Sequence, residues 1–210
     1  MNFFVAGIGV LLVISTQQSL PPTQTPADAI VRQLRDLPTP LPAAPRSDGS
    51  IDQIEQRRHE LYSQLRLLGN DALPALSSGL VDPDTRLRRN VALVLNVLAG
   101  GWFDRSWSEM NIRPCLPALL KALGDNDGFV RAWSAQAIGY IGPDAAEAVP
   151  ALIALLRNQD VGSRNSAAIA LREIGPEAKS ALPALREALS DPNDSVRRFA
   201  AVAIEKVEGH

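Results

Sequence analysis

Apolar residues from residue 73 onward recur at helical spacing, in four similar blocks. Each block opens with leucine or valine, which is followed by proline, alanine and leucine. Another leucine stands four residues after the leucine that follows the alanine. An i, i+4 pair of leucines forms one stripe of a helix, and a proline is tolerated in the first helical turn. The pattern therefore predicts a short helix at the start of each block, with the leucine pairs Leu76/Leu80, Leu119/Leu123, Leu152/Leu156 and Leu185/Leu189.

A second, longer helix follows in each block. Ten residues after the proline stands a short polar side chain suited to a helix N-cap, fourteen residues after it an arginine, and eighteen after it an alanine. The small alanine predicts close contact between neighbouring helices, where a larger side chain would overpack. Gly142-Pro143 and Gly175-Pro176 then predict the helix ends. These columns are Asp84, Asp127, Asp160, Asn193; Arg88, Arg131, Arg164, Arg197; and Ala92, Ala135, Ala168, Ala201.

The blocks recur at a nearly fixed period. The prolines at the four openings, Pro74, Pro117, Pro150 and Pro183, are 43, 33 and 33 residues apart. A fixed period of this length indicates a repeat architecture, in which helical hairpins too small to bury their apolar faces stack on one another. We therefore expect an all-α fold, an α-α superhelix. The wider first spacing predicts an insertion at residues 100–111.

The outer copies differ from the inner ones at one position of the first helix. Leu120 and Ile153 of the inner copies correspond to Ser77 and Arg186 in the first and last copies. Terminal repeats need a polar outer face, so Arg186 and the adjacent Glu187 fit a C-terminal cap.

The pattern resembles the HEAT-like repeats, in particular the short bacterial type found in phycobilisome lyase subunits. The resemblance rests on the Leu-Pro-Ala-Leu openings, the turn from Asp127 to Arg131, the alanine-rich second helices and the Ile-Gly-Pro ends, and it covers residues 70–208. It implies a HEAT/armadillo-like α-solenoid. It also implies, as one alternative, a lyase- or chaperone-like accessory subunit that acts on a tetrapyrrole or other partner protein.

The segments before the repeats have a different composition. Residues 1–15 contain an uncharged apolar run, which is typical of a signal peptide or an N-terminal hydrophobic anchor, and export to the periplasm or cell envelope is the expectation. Residues 16–49 contain seven of the sixteen prolines and predict a disordered linker. A short helix from Asp28 to Leu37 is expected there, interpreted as a transient helix rather than a docking peptide. Residues 50–69 predict a capping helix.

Composition and charge narrow the function. The chain is 46% hydrophobic and has a net charge of −2, one cysteine and two histidines. Catalytic and metal sites need clustered nucleophiles, bases or ligands, so we predict no catalytic residues, no metal and no cofactor. From residue 114 onward, ten Lys and Arg stand against twelve Asp and Glu. Nucleic-acid binding would require a basic excess, and a protein or peptide partner is expected instead.

Two sets of residues are candidates for specific roles. The first is a structural ladder in which each arginine bridges a helix N-terminus and neighbouring turns: Asp84, Arg88, Asp127, Arg131, Asp160, Arg164 and Arg197. The second is a partner-binding surface on the face lined by the second helices, together with the insertion. Its aromatic members have two possible roles, which both stay open: they contact a partner, or they fill gaps between repeats. This second set comprises Arg89, Trp102, Phe103, Trp107, Trp133, Arg172 and Arg198.

Overall fold

The computed structural model describes residues 25–38, 50–100 and 110–209, and these ranges contain helices and turns but no strand. The α-helices of the described ranges are α1 (Pro26–Leu34), α2 (Ser50–Leu68), α3 (Leu73–Gly79), α4 (Thr85–Gly100), α5 (Leu116–Ala122), α6 (Gly128–Ile141), α7 (Val149–Leu155), α8 (Val161–Ile174), α9 (Leu182–Ala188) and α10 (Asp194–Glu208). The predicted all-α solenoid is confirmed.

Each repeat pairs a short helix with a longer one: α3 with α4, α5 with α6, α7 with α8 and α9 with α10. The longer helices contact one another in series, from α4 through α6 and α8 to α10. The N-cap side chains lie where the sequence predicts them, since Asp127 Oδ1 accepts hydrogen bonds from the backbone N–H groups of Phe129 and Val130 at 3.1 and 3.2 Å. Gly142 and Gly175 end their helices at φ +72°, a conformation that glycine adopts without steric cost.

Small residues let the long helices approach closely. Ala92, Ala135 and Ala168 are completely buried. A Cβ atom added to Gly139 of α6 would lie only 3.0 Å from the Cα atom of Ala170 in α8. The stack therefore depends on small side chains at the contact, because protein interiors are close-packed and have no room for an added methyl group.

The N-terminal segment differs from the prediction. Residues 25–38 were expected to belong to the disordered linker 16–49, with a transient helix from Asp28 to Leu37; a helix is present there, but it is the packed helix α1 with its C-terminal turn. Ala27, Val31 and Leu34 are buried, and α1 contacts α2, α3 and α4. The prolines of this segment do not interrupt the helix. Pro26 stands in its first turn, where the missing N–H has no consequence.

Three sequence predictions fall outside the described residues. These are the apolar run within residues 1–15, the remaining parts of the proline-rich segment at 16–24 and 39–49, and the residues 101–109 of the insertion.

Within the described residues, the stretch 128–155 is long and apolar enough on average to cross a membrane. It is not one continuous rod, however, because Gly142 breaks it and separates α6 from α7.

Candidate functional site

A groove of about 560 Å³ runs across the longer helices; we call it the long-helix groove. Its walls come from α4, α6, α8 and α10, and the position fifteen residues after the proline lines it in three successive repeats, at Arg89, Ala132 and Asn165. It is a surface that no single repeat forms alone. The lining residues are Arg89, Asp127, Gly128, Phe129, Ala132, Trp133, Gln136, Asp160, Gly162, Asn165, Ser166, Ile169 and Phe199.

Aromatic side chains form the apolar part of the groove. Phe129 and Trp133 stand one turn apart on α6, and their ring centres are 5.3 Å apart at a tilt of 35°. Phe129 is 41% exposed, an uncommon exposure for so large an apolar side chain. The Arg89 guanidinium carbon lies 5.3 Å from the centre of the Phe129 ring, within the range of a cation–π contact. The α6 face is therefore a preformed aromatic platform held from one side by a cation.

Polar side chains connect the helices below this platform. Asn96 Nδ2 donates a hydrogen bond to Gln136 Oε1 at 3.3 Å, and Gln136 Nε2 donates to Ser166 Oγ at 3.1 Å. This chain joins α4, α6 and α8. Within the described residues, Asn165 Oδ1 is buried and accepts no hydrogen bond, and Arg89 Nε is buried and donates none. The groove thus contains one acceptor and one donor whose partners the described protein does not supply.

The carboxylates at the groove edge are ionised at neutral pH. Burial alone would raise the pKa of Asp127, but hydrogen bonds from Arg89 and from the backbone N–H groups of Val130 and Phe129 outweigh it and lower the pKa. The pKa of Asp160 is lowered in the same way, because bonds from the hydroxyl and backbone N–H of Ser163 outweigh burial. Asp127 also forms an ion pair with Arg89. The charges at this edge are therefore fixed by local bonds rather than free to titrate near neutral pH.

The arginine column forms bonds between successive repeats. Arg88 donates to both carboxylate oxygens of Asp125, at 2.6 and 3.1 Å, and Arg164 does the same with Asp191, at 2.7 and 3.0 Å. Arg131 faces a following repeat that has Asn158 instead of Asp at the equivalent position, and it donates to Ser163 Oγ and to the Asp125 carbonyl. Each of these arginines thus connects its own helix start to the next repeat or to a neighbouring turn.

The acidic partners of Arg88 and Arg164 were missed by the sequence prediction, which considered only the N-cap column. They stand eight residues after the proline. In each repeat the side chain at this position also accepts a hydrogen bond from the backbone N–H two residues later, at 2.8–2.9 Å. The regular recurrence of Asp or Asn at this offset is the signal that could have identified them. The column is Asp82, Asp125, Asn158 and Asp191.

The remaining ladder residues lie at the two ends of the array. Asp84 accepts a hydrogen bond from the Arg86 backbone N–H at 2.8 Å and lies 3.3 Å from Arg35 of the α1 turn. Arg197 donates to the Asp191 and Pro192 carbonyls at 2.8 and 3.1 Å, and its side chain is 40% exposed. The last member of the column therefore lacks the contact with a following repeat that the inner members have.

The predicted partner-binding residues are divided by the structure. Arg89 and Trp133 line the long-helix groove. Arg172 forms an ion pair with its neighbour Glu173 and does not line it. Arg198 is exposed, with its guanidinium carbon 5.8 Å from the ring centre of Phe199 at the groove end. Trp102, Phe103 and Trp107 lie outside the described residues. The groove residues that the sequence prediction missed are Phe129, Gln136, Asn165 and Phe199.

The described part of the chain shows no group of three or more His, Cys, Asp or Glu side chains arranged to hold a metal ion. Cys115 is buried, and burial raises the pKa of its thiol. A thiol in that environment is a poor nucleophile, so the groove remains the candidate site.

Residues 116–205 match the family model of HEAT repeats. The predicted resemblance to HEAT-like repeats is thereby confirmed. A search of curated proteins finds no match.

Solved structures of repeat proteins share the fold. The complex of CpcE and CpcF of phycocyanin lyase from Nostoc sp. PCC7120 is similar at a TM-score of 0.58 and 23% identity, over 93% of this chain and 71% of that chain. A designed armadillo repeat protein in complex with the peptide (KR)4 is similar at 0.60 and 20% identity, over 86% and 81% of the two chains. An engineered protein is similar at 0.59 and 22% identity, over 88% and 85%. At these identities the likeness shows the fold.

Proposed function

We propose that this protein is a non-catalytic scaffold that binds an extended segment of another protein in the long-helix groove. The observation that carries the proposal is the aromatic pair of Phe129 and Trp133 on α6, with Phe129 41% exposed, in a groove whose walls come from four helices. Aromatic side chains are favoured contacts at protein interfaces. Binding of a segment with apolar side chains would remove this aromatic surface from water.

An extended peptide matches the groove in shape and chemistry. Its backbone presents N–H and C=O groups at regular intervals, and polar side chains such as Gln136 and Asn165 line the groove. Its side chains can pack on Phe129 and Trp133, and tryptophan is among the residues that contribute most to binding energy at interfaces. The groove crosses several repeats, so a bound segment would contact several equivalent positions in succession, as the stacked architecture of solenoids favours.

The similarity in fold to the designed armadillo protein supports the proposal, because that protein was solved in complex with a peptide. The similarity to the phycocyanin lyase complex favours a second candidate, an accessory subunit acting on a tetrapyrrole or other partner protein. The two are distinguished by the visible absorbance of the protein purified from its host. A bound chromophore would favour the accessory role, and a colourless protein that binds linear peptides would favour the scaffold.

The peptide proposal is tested with phage-displayed random linear peptides selected on the full chain. Synthetic copies of the selected peptides are then titrated by fluorescence anisotropy against the wild type, Trp133→Ala and Asn165→Ala. We expect each substitution to weaken binding by about tenfold or more, because each removes a contact at the centre of the groove.

Tyr140→Ala is the matched control. Tyr140 is an aromatic residue on the same helix, 43% exposed, and it does not line the groove. Its removal should leave the affinity unchanged. Selection that yields no specific peptide, or peptides that bind all variants equally, would refute the proposed function.

A further inference from the structure

The junctions between successive long helices can be compared position by position, because each repeat supplies the same columns. At the first junction, between α4 and α6, Arg89 pairs with Asp127, the N-cap of α6. Arg89 stands fifteen residues after the proline of its repeat, and Asp127 stands ten residues after the proline of the next. The Arg89 guanidinium also lies over the ring of Phe129. A cation from one repeat thus neutralises the cap carboxylate of the following repeat.

The second junction, between α6 and α8, has the carboxylate but not the cation. Its cap residue is Asp160, and the position that Arg89 occupies at the first junction is taken by Ala132. The Asp160 side chain is 42% exposed, against 12% for Asp127. Because both carboxylates line the same groove, the missing arginine accounts for the greater exposure of the second one.

The protein neighbours of Asp160 do not replace this cation. Ser163 donates from its backbone N–H and from its hydroxyl to Asp160 Oδ2, both at 2.7 Å. Arg131 Nη2 lies 3.8 Å from the same oxygen, which is beyond hydrogen-bond distance. The hydrogen bonds of Arg131 go instead to Ser163, Asn158 and the Asp125 carbonyl.

The other long helices have no such mismatch at their starts. Arg35 of the α1 turn lies 3.3 Å from Asp84, at the start of α4. The cap of α10 is Asn193, which carries no charge. Among the cap carboxylates of the described repeats, Asp160 is therefore the one that no arginine nitrogen approaches more closely than 3.8 Å.

The space of the missing side chain is open. Ala132 contributes only a methyl group, and Gly162 stands at the position that Phe129 has in the preceding repeat. Both residues line the long-helix groove. A Cβ atom added at Gly162 would have only the Asp160 carboxylate oxygens nearby, at 3.4 and 3.9 Å, apart from its own neighbours in the helix. The second junction thus combines a partly exposed carboxylate with two small residues.

An aromatic ring borders the same part of the groove. Trp133 follows Ala132 on α6 and lines the groove. A guanidinium group is planar, so it can stack on the face of an aromatic ring and form two parallel hydrogen bonds to a carboxylate. The first junction shows this combination within the protein itself, since Arg89 contacts both Asp127 and the Phe129 ring.

We propose that the second junction is a subsite for an arginine side chain of the bound segment, and that its guanidinium pairs with Asp160 as Arg89 pairs with Asp127. The occupant is an arginine of the partner protein, held between the Asp160 carboxylate and Trp133. This inference rests on the proposed function, because it names a residue that the segment in the long-helix groove carries.

The linear peptides selected on the full chain supply the probe. We expect an arginine to recur in the selected sequences. Replacement of that arginine by citrulline, which has nearly the same shape but no charge, should raise the dissociation constant about tenfold or more. Fluorescence anisotropy with the arginine and citrulline forms of one peptide measures the difference.

Asp160→Asn is the matching change in the protein. Asparagine is a good N-cap and caps α10 in this chain, so the variant should keep the fold. It should weaken binding of the arginine peptide about tenfold and leave the citrulline peptide nearly unchanged, because the two changes remove the same contact. Asp84→Asn is the matched control. It removes the same charge at the equivalent position of the first repeat, which does not line the groove, and should leave both affinities unchanged.

The outcomes separate this subsite from the proposed function. Selected peptides without a recurring arginine would overturn the subsite and leave peptide binding in the groove intact. So would equal affinities of the arginine and citrulline forms, or an equal loss of both forms in Asp160→Asn. Selection that yields no specific peptide would overturn the subsite together with the proposed function.

Discussion

Arg164→Ala is the substitution that best tests the role of the arginine column. Arg164 donates to both carboxylate oxygens of Asp191 and to the carbonyls of Asn158 and Gln159, at 2.7–3.0 Å. The Arg164 and Asp191 side chains are 12% and 8% exposed. Truncation to alanine leaves a nearly buried carboxylate and two turn carbonyls without their donor.

The expected loss lies between two reference values. Exposed ion pairs contribute about 0–1 kcal/mol, and breaking a fully buried pair costs about 3–5 kcal/mol. The remaining exposure of Asp191 lets water reach it in the variant, so we expect Arg164→Ala to lower the free energy of unfolding by about 2 kcal/mol. Arg197→Ala is the matched control at the same repeat position, where the partner Asp194 is exposed, and its cost should stay below about 1 kcal/mol.

The loss should also depend on pH in a defined direction. The hydrogen bonds from Arg164 lower the pKa of Asp191, and they outweigh the opposite effect of burial. A carboxyl whose pKa is lower in the folded state stabilises the fold above its unfolded pKa, and this contribution is lost as the pH falls through the folded value. The difference between wild type and Arg164→Ala should therefore be full at neutral pH and shrink below about pH 4.

Urea unfolding followed by circular dichroism measures these differences, provided that the slopes of the variants agree with that of the wild type. Equal losses for Arg164→Ala and Arg197→Ala would refute the argument, because the two positions differ mainly in the contact with a following repeat. A loss at Arg164 that persists unchanged at pH 3 would show that the ion pair is not its cause.

Three more predictions follow from the packing of the helices. Gly139→Leu should destabilise the fold by about 2–3 kcal/mol in urea unfolding, because Ala170 leaves no room for the side chain. Gly162→Ala is the control: an added Cβ meets only ordinary contacts there, so this substitution should be neutral or slightly stabilising. Gly142→Ala should cost about 1–2 kcal/mol in the same assay, because φ is +72° there. Asn90→Leu removes hydrogen bonds of 2.8 and 3.0 Å to carbonyls at the C-terminal end of α1. Amide hydrogen exchange should therefore become faster in α1 and stay unchanged in α8. Equal exchange rates in α1 before and after the substitution would contradict this expectation.

The repeats themselves could be predicted because their determinants are local and recur. The N-cap at Asp127, the helix end at Gly142 and the alanine column each have a physical requirement that a few neighbouring residues satisfy. Once the period of 33 residues is recognised, each column is observed several times, and its meaning does not depend on one residue. That redundancy is absent elsewhere in the chain.

The packing of α1 could not be predicted, because its stability comes from tertiary contacts. A helix of this length is marginal alone in water. Its turn is held by Asn90 of α4, more than 50 residues away in sequence, and by Arg58 of α2, which donates to the Pro38 carbonyl at 2.8 Å. The proline-rich composition on both sides suggests a linker, and only the partner side chains show that the helix is anchored.

The long-helix groove could be predicted from the sequence only in part. Trp133 and Arg89 were recognised as candidates because they stand on the second helices, which line the expected binding face. Asn165 was missed although it shares the column of Arg89, because that column holds arginine, alanine, asparagine and arginine in successive repeats and shows no common chemistry. An unpaired acceptor is a property of the surroundings of a residue, and the sequence does not contain it.

The ladder also gives the array a direction. Arg88 and Arg164 each reach forward to the acidic turn of the following repeat, whereas Arg131 at the middle junction reaches forward to Asn158 and Ser163. At the first repeat the carboxylates are already paired, with Arg35 of the α1 turn in place of a preceding repeat. At the last repeat Arg197 is half exposed and has only the exposed Asp194 as its ion-pair partner. The two ends of the described array are thus chemically different, because the carboxylates of the first repeat pair with an arginine from α1, whereas Arg197 pairs with a carboxylate of its own helix.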